Sequence, residues 1–318
     1  VSAPSGATLT LRAPGKLNLG LRVCGRRPDG YHLLESVFVP IDWSDELEVE
    51  LVDRGTGSAG EPRIELELLD ESPGGGVPGD ASNLVWRAAA AFCQAAGLGA
   101  HLRLRLRKRL PSAAGLGGGS SDAGAALRAL AALLPDALPS GELRAVAAAL
   151  GADVPFFLDP RPALVTGVGE CVEPLAGVPP LDLVLANPGV SLATAAVYAA
   201  WDELSPALTH PRAGSTMRAL SAVSTGVGQG AGGLAKLLVN DLEPAASRLC
   251  PSLGPLQERL RRAGALAVGM SGSGATVFGV FSDAASARAA LRSAGLGSQA
   301  RSEPSSWARV ARSSGSRE

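Results

Sequence analysis

The chain has 318 residues, 46% of them hydrophobic, enough for ordinary cores and about two domains. A formal net charge of −1 removes any global attraction to nucleic acid or anionic membrane, and no apolar run reaches the roughly 18 residues of a membrane span. The four cysteines, Cys24, Cys93, Cys171 and Cys250, form no CxxC pair, which argues against a metal centre or a disulfide framework. Reduced thiols, and a first segment (Val-Ser-Ala-Pro-Ser-Gly) without the basic flank and apolar core of a signal peptide, predict a cytoplasmic protein.

The first half reads mostly as strands. Thr8 to Arg12 and Lys16 to Arg22 are short candidates separated by Pro14-Gly15. Leu47 to Val52 and Ile64 to Leu69 alternate apolar residues with glutamates, the period of a half-buried strand. Residues 72–79 (Ser-Pro-Gly-Gly-Gly-Val-Pro-Gly) are a surface loop, and Asn83 to Ala96 is helical. In residues 101–110, Leu102, Leu104 and Leu106 alternate with Arg103, Arg105 and Arg107, a strand whose arginines face solvent. No aromatic residues interleave with them, so this stripe does not read as a nucleic-acid surface.

A glycine-rich run follows: Pro111, Ser112, Ala113, Ala114, Gly115, Leu116, Gly117, Gly118, Gly119, Ser120, Ser121. Beyond it Ala123, Ala126, Leu127, Leu130 and Leu134 fall on one helical face, with Ser120 or Ser121 as the expected N-cap. Strand, glycine loop and helix aim backbone N–H donors and a helix dipole at one place, which suits a phosphate. No lysine follows the glycines, so this is not a Walker A loop. It is also a poor dinucleotide fingerprint. Ser120 stands where the third glycine or alanine belongs, and the acids downstream, Asp136 and Glu142, lie in a Pro/Ser/Gly stretch.

Glu142 to Leu150 reads as another helix, and Asp153 sits just beyond it. The second half begins near residue 178. Leu181 to Ala186 is a strand, Thr194 to Leu204 a helix, 224–233 a Gly-rich loop, and Leu234 to Leu238 and Leu253 to Ala263 helices. Ala265 to Met270 and Ala275 to Phe281 are strands around Ser271-Gly272-Ser273-Gly274, and Asp283 to Ala294 is a helix. The tail from Arg309 to Glu318, rich in Ser, Arg and Gly, reads as frayed. This order predicts an α+β fold with mixed, largely antiparallel sheets.

Residues 111–123 resemble the second motif of the GHMP kinases, the family of galactose, homoserine and mevalonate kinases. Four further segments agree, in family order: Ala13-Pro14-Gly15-Lys16-Leu17-Asn18-Leu19, Arg27-Pro28-Asp29-Gly30-Tyr31-His32, Gly151-Ala152-Asp153-Val154-Pro155-Phe156-Phe157, and Met270-Ser271-Gly272-Ser273-Gly274-Ala275-Thr276. The resemblance is strongest to the branch whose acceptor carries cytidine diphosphate. Gly124, where that branch usually has alanine, and Leu33-Leu34 after His32 depart from its pattern.

The resemblance implies two domains, 1–177 for nucleotide binding and catalysis and 178–318 on the substrate side, with the active site in the cleft between them. It implies ATP, with Mg²⁺, as phosphoryl donor and a small cytidine-diphosphate substrate, with neither nucleic acid nor membrane as partner. Lys16 would meet the transferred phosphate, and Asp153 would orient or deprotonate the acceptor hydroxyl. Residues 111–121 would cover the nucleotide phosphates, with Ser120 or Ser121 touching phosphate or Mg²⁺. Asn18, Tyr31, His32, Thr194, Tyr198, Gly272 and Ser273 would face the substrate, Tyr31, His32 and Tyr198 meeting its base. No carboxylate cluster with metal-ligand spacing is evident, so no protein metal ligand is assigned. His101 and His210 read as solvated.

Only three of the 29 basic residues are lysines, Lys16, Lys108 and Lys236, so a lysine here points to a need for a compact ammonium. Three alternatives stay open: a sister kinase with another acceptor, a dinucleotide-dependent oxidoreductase using the glycine loop, and a non-catalytic ligand-binding relative.

Overall fold

The computed structural model describes residues 4–55, 60–205, 238–293 and 306–315. The loop expected at 224–233, His210, Lys236 and all but the last residue of the helix expected at Leu234 to Leu238 lie outside them. The chain forms two compact units from interleaved segments. The first takes 1–15, 43–112 and 117–160; the second takes 16–42, 113–116 and 161–318.

Two long strands, β1 (Ala7–Arg26) and β2 (His32–Asp53), contribute to both units. The two short strands expected at the start are one, because Pro14-Gly15 does not break β1. Among the described strands only β2 pairs with it. Its other edge meets 239–241 at Leu21 and Leu116 at Lys16, both beyond Pro14, and an edge tolerates a missing N–H.

In the first unit, β3 (Arg63–Asp70) runs parallel to β4 (His101–Lys108), which pairs antiparallel with the C-terminal half of β2. Leu47, Val49, Leu51, Leu102, Leu104 and Leu106 are buried on one face, as the alternation requires. Helices α1 (Leu84–Ala95), α2 (Gly118–Leu133) and α3 (Ser140–Leu150) share that core. The arginines of β4 are ion-paired across strands: Arg103 with Glu50 and Glu65, Arg105 with Glu48 and Glu67, and Arg107 with Glu71.

Helix α1 starts as expected, with Asn83 Oδ1 accepting from Val85 N at 2.9 Å. Helix α2 does not. Its N-cap is Gly117, left-handed at φ 68°, while Ser120 and Ser121 lie inside the helix. Glycine adopts this left-handed conformation without the strain a serine would carry, so the turn is made earlier than a hydroxyl cap would make it.

A 3₁₀ turn (Val154–Leu158) carries Asp153 at its start and packs on α2. Gly124 makes that approach possible: a Cβ there would lie 2.5 Å from Phe157 Cβ and 3.0 Å from its backbone. The departure from alanine at this position is thus a packing requirement of this chain.

In the second unit, β7 (Asp182–Asn187), β8 (Ala267–Met270), β9 (Val277–Phe281) and β10 (Trp307–Arg312) form an antiparallel sheet in the order β10-β7-β9-β8. Helices α4 (Thr194–Leu204), α5 (Glu243–Leu249), α6 (Leu253–Arg262) and α7 (Ala284–Ser293) belong to the same unit. Here too β5 (Ala163–Thr166) pairs with residues 36–38 of β2 and with β6 (Cys171–Pro174). Part of the tail read as frayed is strand β10. Ala308 and Val310 pack on the core and Ala311 is buried, while Arg309 and Arg312 are exposed, so no clean period of two marks this strand in an arginine-rich sequence. Among the described residues no helix is long and apolar enough to cross a membrane, and the four cysteines form no disulfide.

Gly124→Ala should destabilise the fold by about 1–3 kcal/mol, the ordinary cost of overpacking, read as a lower midpoint in thermal or urea unfolding.

Candidate functional site

The expected site residues fall into two groups, one in each unit. In the second unit Lys16 and Asn18 share one face of β1, as period two dictates. Lys16 is buried and its Nζ donates to Asn18 Oδ1 at 2.6 Å. The ammonium also lies 4.7 Å from the centroid of Phe38, a cation–π distance. Asn18 Nδ2 donates to Ser36 Oγ at 2.9 Å, so both ends of this amide are engaged by the protein.

The glycine loop joins the same group. The Lys16 backbone N donates to Leu116 O at 2.9 Å. Ser271 Oγ donates to Gly115 O at 2.9 Å and accepts from the Asn18 backbone N at 3.2 Å. Gly115 has φ 76°, and a Cβ on it would stand 2.3 Å from Ser271 O, so glycine is required twice over. The Ser271–Gly274 turn is itself fixed: Asn240 Nδ2 donates to Met270 O and Gly272 O at 2.9 and 2.8 Å. Thr194 Oγ1 and Ser273 Oγ are 3.0 Å apart. Lys16, Asn18, residues 113–116, Thr194 and the second glycine turn are therefore linked by hydrogen bonds within one unit.

Two of the three aromatic positions, His32 and Tyr198, also meet. His32 stacks on Tyr198, with centroids 4.7 Å apart and planes 16° from parallel. Tyr31 is 64% exposed, at the end of the turn that Pro28-Asp29-Gly30 announces. Asp29 Oδ1 accepts from Tyr31 N at 3.3 Å, and Arg27 N donates to Tyr31 O at 2.7 Å.

The first unit holds Pro111, Ser112, residues 117–121 and Asp153. No side chain caps α2, Gly119 is exposed, and nothing stands within 4 Å of where its Cβ would be. The first turn thus offers backbone N–H groups to an anion. Ser121 Oγ donates to Pro14 O at 2.7 Å, whereas Ser120 is part-exposed. Asp153 is half-buried at the N-terminus of the 3₁₀ turn.

Several residues escaped the sequence reading. Asn240 and Ser36 gave no motif. Asp202 lies four residues after Tyr198 on α4, hence on the same face, and its Oδ1 is 2.7 Å from His32 Nε2. Lys108 stood out only as a rare lysine. Its Nζ is buried between Asp45 and Asp122, donating to Asp45 Oδ2 and, at 2.7 Å, to Asp122 Oδ2. Asp45 Oδ1 also accepts from the backbone N of Arg109 and of Leu110. Asp45 thus fixes the chain entering the glycine loop, and Asp122 the first turn of the helix leaving it. A Cβ on Gly118 would come within 3.2 Å of the Lys108 ammonium.

Burial pushes the Asp122 carboxyl well above the usual carboxylate range, with Lys108 opposing and Asp45 adding to the shift. Its Oδ1 has no partner among the described residues. Burial lowers the Lys108 ammonium, but the two carboxylates outweigh it and raise its pKa overall. Among the described residues no group of three or more His, Cys, Asp or Glu could hold a metal ion.

Residues 83–159 match the GHMP kinases N terminal domain and residues 219–296 the GHMP kinases C terminal family. A 4-diphosphocytidyl-2-C-methyl-D-erythritol kinase of Deinococcus radiodurans is 43% identical over 280 residues, covering 87% of this chain and 86% of that protein. The enzyme of the same name from a Polaromonas species is 42% identical over 278 residues, covering 86% and 84%. A crystal structure of 4-(cytidine 5'-diphospho)-2C-methyl-D-erythritol kinase superposes with a TM-score of 0.73 at 37% identity, covering 97% of this chain and all of that one. Mevalonate kinase of L. major shares the fold, with a TM-score of 0.70 at 19% identity over the whole of both chains.

Lys108→Met would leave two buried carboxylates without their cation, an expected loss of about 3–5 kcal/mol in urea unfolding. The raised Lys108 pKa means the folded state holds this proton more tightly than the unfolded state. Its contribution is whole below the ordinary lysine value of 10.5 and is lost as pH rises through the folded value. Wild-type stability should therefore fall above that pH, and a Lys108→Met variant, measured alongside, should lack this component of the fall.

Proposed function

Because the chain belongs to the 4-diphosphocytidyl-2-C-methyl-D-erythritol kinase family, within the GHMP kinases, we infer that it transfers the γ-phosphoryl group of ATP to the 2-hydroxyl of 4-diphosphocytidyl-2-C-methyl-D-erythritol. The reaction lies on the non-mevalonate route to isoprenoid precursors, and the reading places it in the cytoplasm. The observation that carries this reading is the hydrogen bond from the Lys16 backbone to Leu116, which ties a buried lysine to the glycine loop.

Phosphoryl transfer asks the protein for positioning and charge neutralisation. Residues 111–121 form the phosphate cover, where the uncapped first turn of α2 and Gly119 let oxygen anions approach backbone donors. Lys16 supplies a compact cation for the charge on the transferred group, and Asn18 holds that ammonium in place. Asp153 orients the acceptor hydroxyl and takes or shares its proton. His32 and Tyr198 form the base platform, with Tyr31 on the same segment. Thr194, Gly272 and Ser273 line the substrate side, braced by the Ser271 hydrogen bonds.

Mg²⁺ fits these residues without a carboxylate cluster, because it retains several waters and binds largely through substrate phosphates. The Ser120 hydroxyl is the protein oxygen we assign to it. When bound, the ion neutralises phosphate charge.

The first test is coupled ADP release with 4-diphosphocytidyl-2-C-methyl-D-erythritol against homoserine, mevalonate and galactose. Faster turnover of any other acceptor would overturn the substrate assignment. Asp153→Ala should lower kcat by about two orders of magnitude or more with KM for ATP nearly unchanged. Tyr198→Ala should chiefly raise KM for the cytidine substrate, by about tenfold or more, given the roughly 1–3 kcal/mol of an aromatic–base stack. Equal losses in the two variants would show that these roles are misassigned.

A further inference from the structure

His32 is held on three sides. Tyr198 covers one face of the ring, and Trp201 meets it edge-on with centroids 5.4 Å apart. On the third side Nε2 lies 2.7 Å from Asp202 Oδ1, and only 8% of the His32 side chain remains exposed. An ionised carboxylate can only accept, so Nε2 carries the proton of that bond. Asp202 also has a second cation nearby: Arg26 Nη1 is 3.5 Å from Oδ2, and Arg26 Nε donates to Gly30 O at 3.1 Å. Asp202 is thus shared between the His32 ring and the Arg26 guanidinium.

A neutral ring protonated at Nε2 has a bare lone pair on Nδ1. Among the described residues Nδ1 has no hydrogen-bond partner, and it is not sealed from solvent. The ring thus presents one fixed, accessible acceptor on the segment that carries Tyr31. Of the two pyrimidine bases of RNA, cytosine carries an exocyclic amine that donates at C4, and uracil has a carbonyl oxygen there that accepts.

We propose that Asp202 is a positioning residue for base selection: it locks His32 in the Nε2–H tautomer, so that Nδ1 accepts from the cytosine amine and turns away uracil. The proposal rests on the cytidine-substrate reading above. A site built around a fixed acceptor discriminates through the partner it leaves unpaired, which a merely apolar stack does not do. Without Asp202 the imidazole is free to move its proton to Nδ1, and the acceptor becomes a donor.

The experiment compares kcat/KM for the cytidine substrate and its uridine counterpart in the wild type, Asp202→Ala and Asp202→Asn. The expected result is a cytidine preference that shrinks by about tenfold to a hundredfold in Asp202→Ala, through a higher KM for the cytidine substrate and a lower one for the uridine substrate. Asp202→Asn, whose amide oxygen can still accept from Nε2, should retain more of the preference than Asp202→Ala. Nitrogen-15 spectra of the histidines should show His32 of the wild type protonated at Nε2 alone, and this readout does not depend on the variants folding. An unchanged cytidine preference in Asp202→Ala, or a wild-type His32 protonated at Nδ1, would overturn the role given to Asp202. A wild type that phosphorylates neither substrate, with His32 protonated at Nε2, would instead overturn the substrate reading and remove the ligand this proposal requires.

Discussion

The Ser271 side chain ties together stretches of chain that are remote in sequence. It accepts from Asn18, 253 residues away, and donates to Gly115, 156 residues away. Backbone approach at Gly115 is so close that any side chain there would strike the Ser271 carbonyl. Three of the sequence motifs are thus bound into one arrangement by a hydroxyl and a missing Cβ. Asn240 then fixes the turn that carries the hydroxyl, and Asn18 fixes the Lys16 ammonium. The polar groups in this network are largely buried, where an unmade hydrogen bond costs about 1–3 kcal/mol. That cost makes the arrangement close to all-or-none.

The first unit solves a related problem with charge. Asp45, Lys108 and Asp122 hold the two flanks of the glycine loop by ion pairs away from water. A compact ammonium can lie against Gly118 and still reach both carboxylates; a planar guanidinium would demand a wider seat. This gives a physical reason for a lysine in a chain that otherwise uses arginine. It also explains why Gly118 belongs with Gly115 and Gly117 in the motif, although only the latter two have positive φ.

Elements with a clean period were legible in the sequence. The alternation in Leu47–Leu51 and Leu102–Leu106, the apolar face of α2 and the helix at Thr194–Leu204 all rest on local patterns that the core then uses. The GHMP kinase motifs likewise marked Lys16, Asn18, the glycine loop and the Ser271 turn, and the structure links Lys16, Asn18, residues 113–116 of that loop and the Ser271 turn within one unit. The misses turn on particular contacts, most of them from far along the chain, that no local period displays. β10 is a strand because β7 supplies its partner. β1 runs through Pro14 because β2 is the one named strand among the described residues that pairs with it, so its other edge tolerates a missing N–H. Ser120 and Ser121 gave way as caps because Gly117 could turn left-handed and Pro14 could accept the Ser121 hydroxyl. Asp202 and Asp122 are acids whose meaning depends on His32 and Lys108, 170 and 14 residues away.

The lateness of β10 bears on how the polypeptide is made. Trp307–Arg312 completes one side of a sheet whose other strands end at Phe281, and Ser313 then bonds back to Leu181 in both directions. While a ribosome is still elongating the chain, β7 carries an open row of backbone donors and acceptors beside an apolar surface. Such a row is a template for pairing with a neighbouring nascent copy. The arginines that punctuate β10 keep the finished border charged, so the hazard is confined to the interval before those last residues emerge.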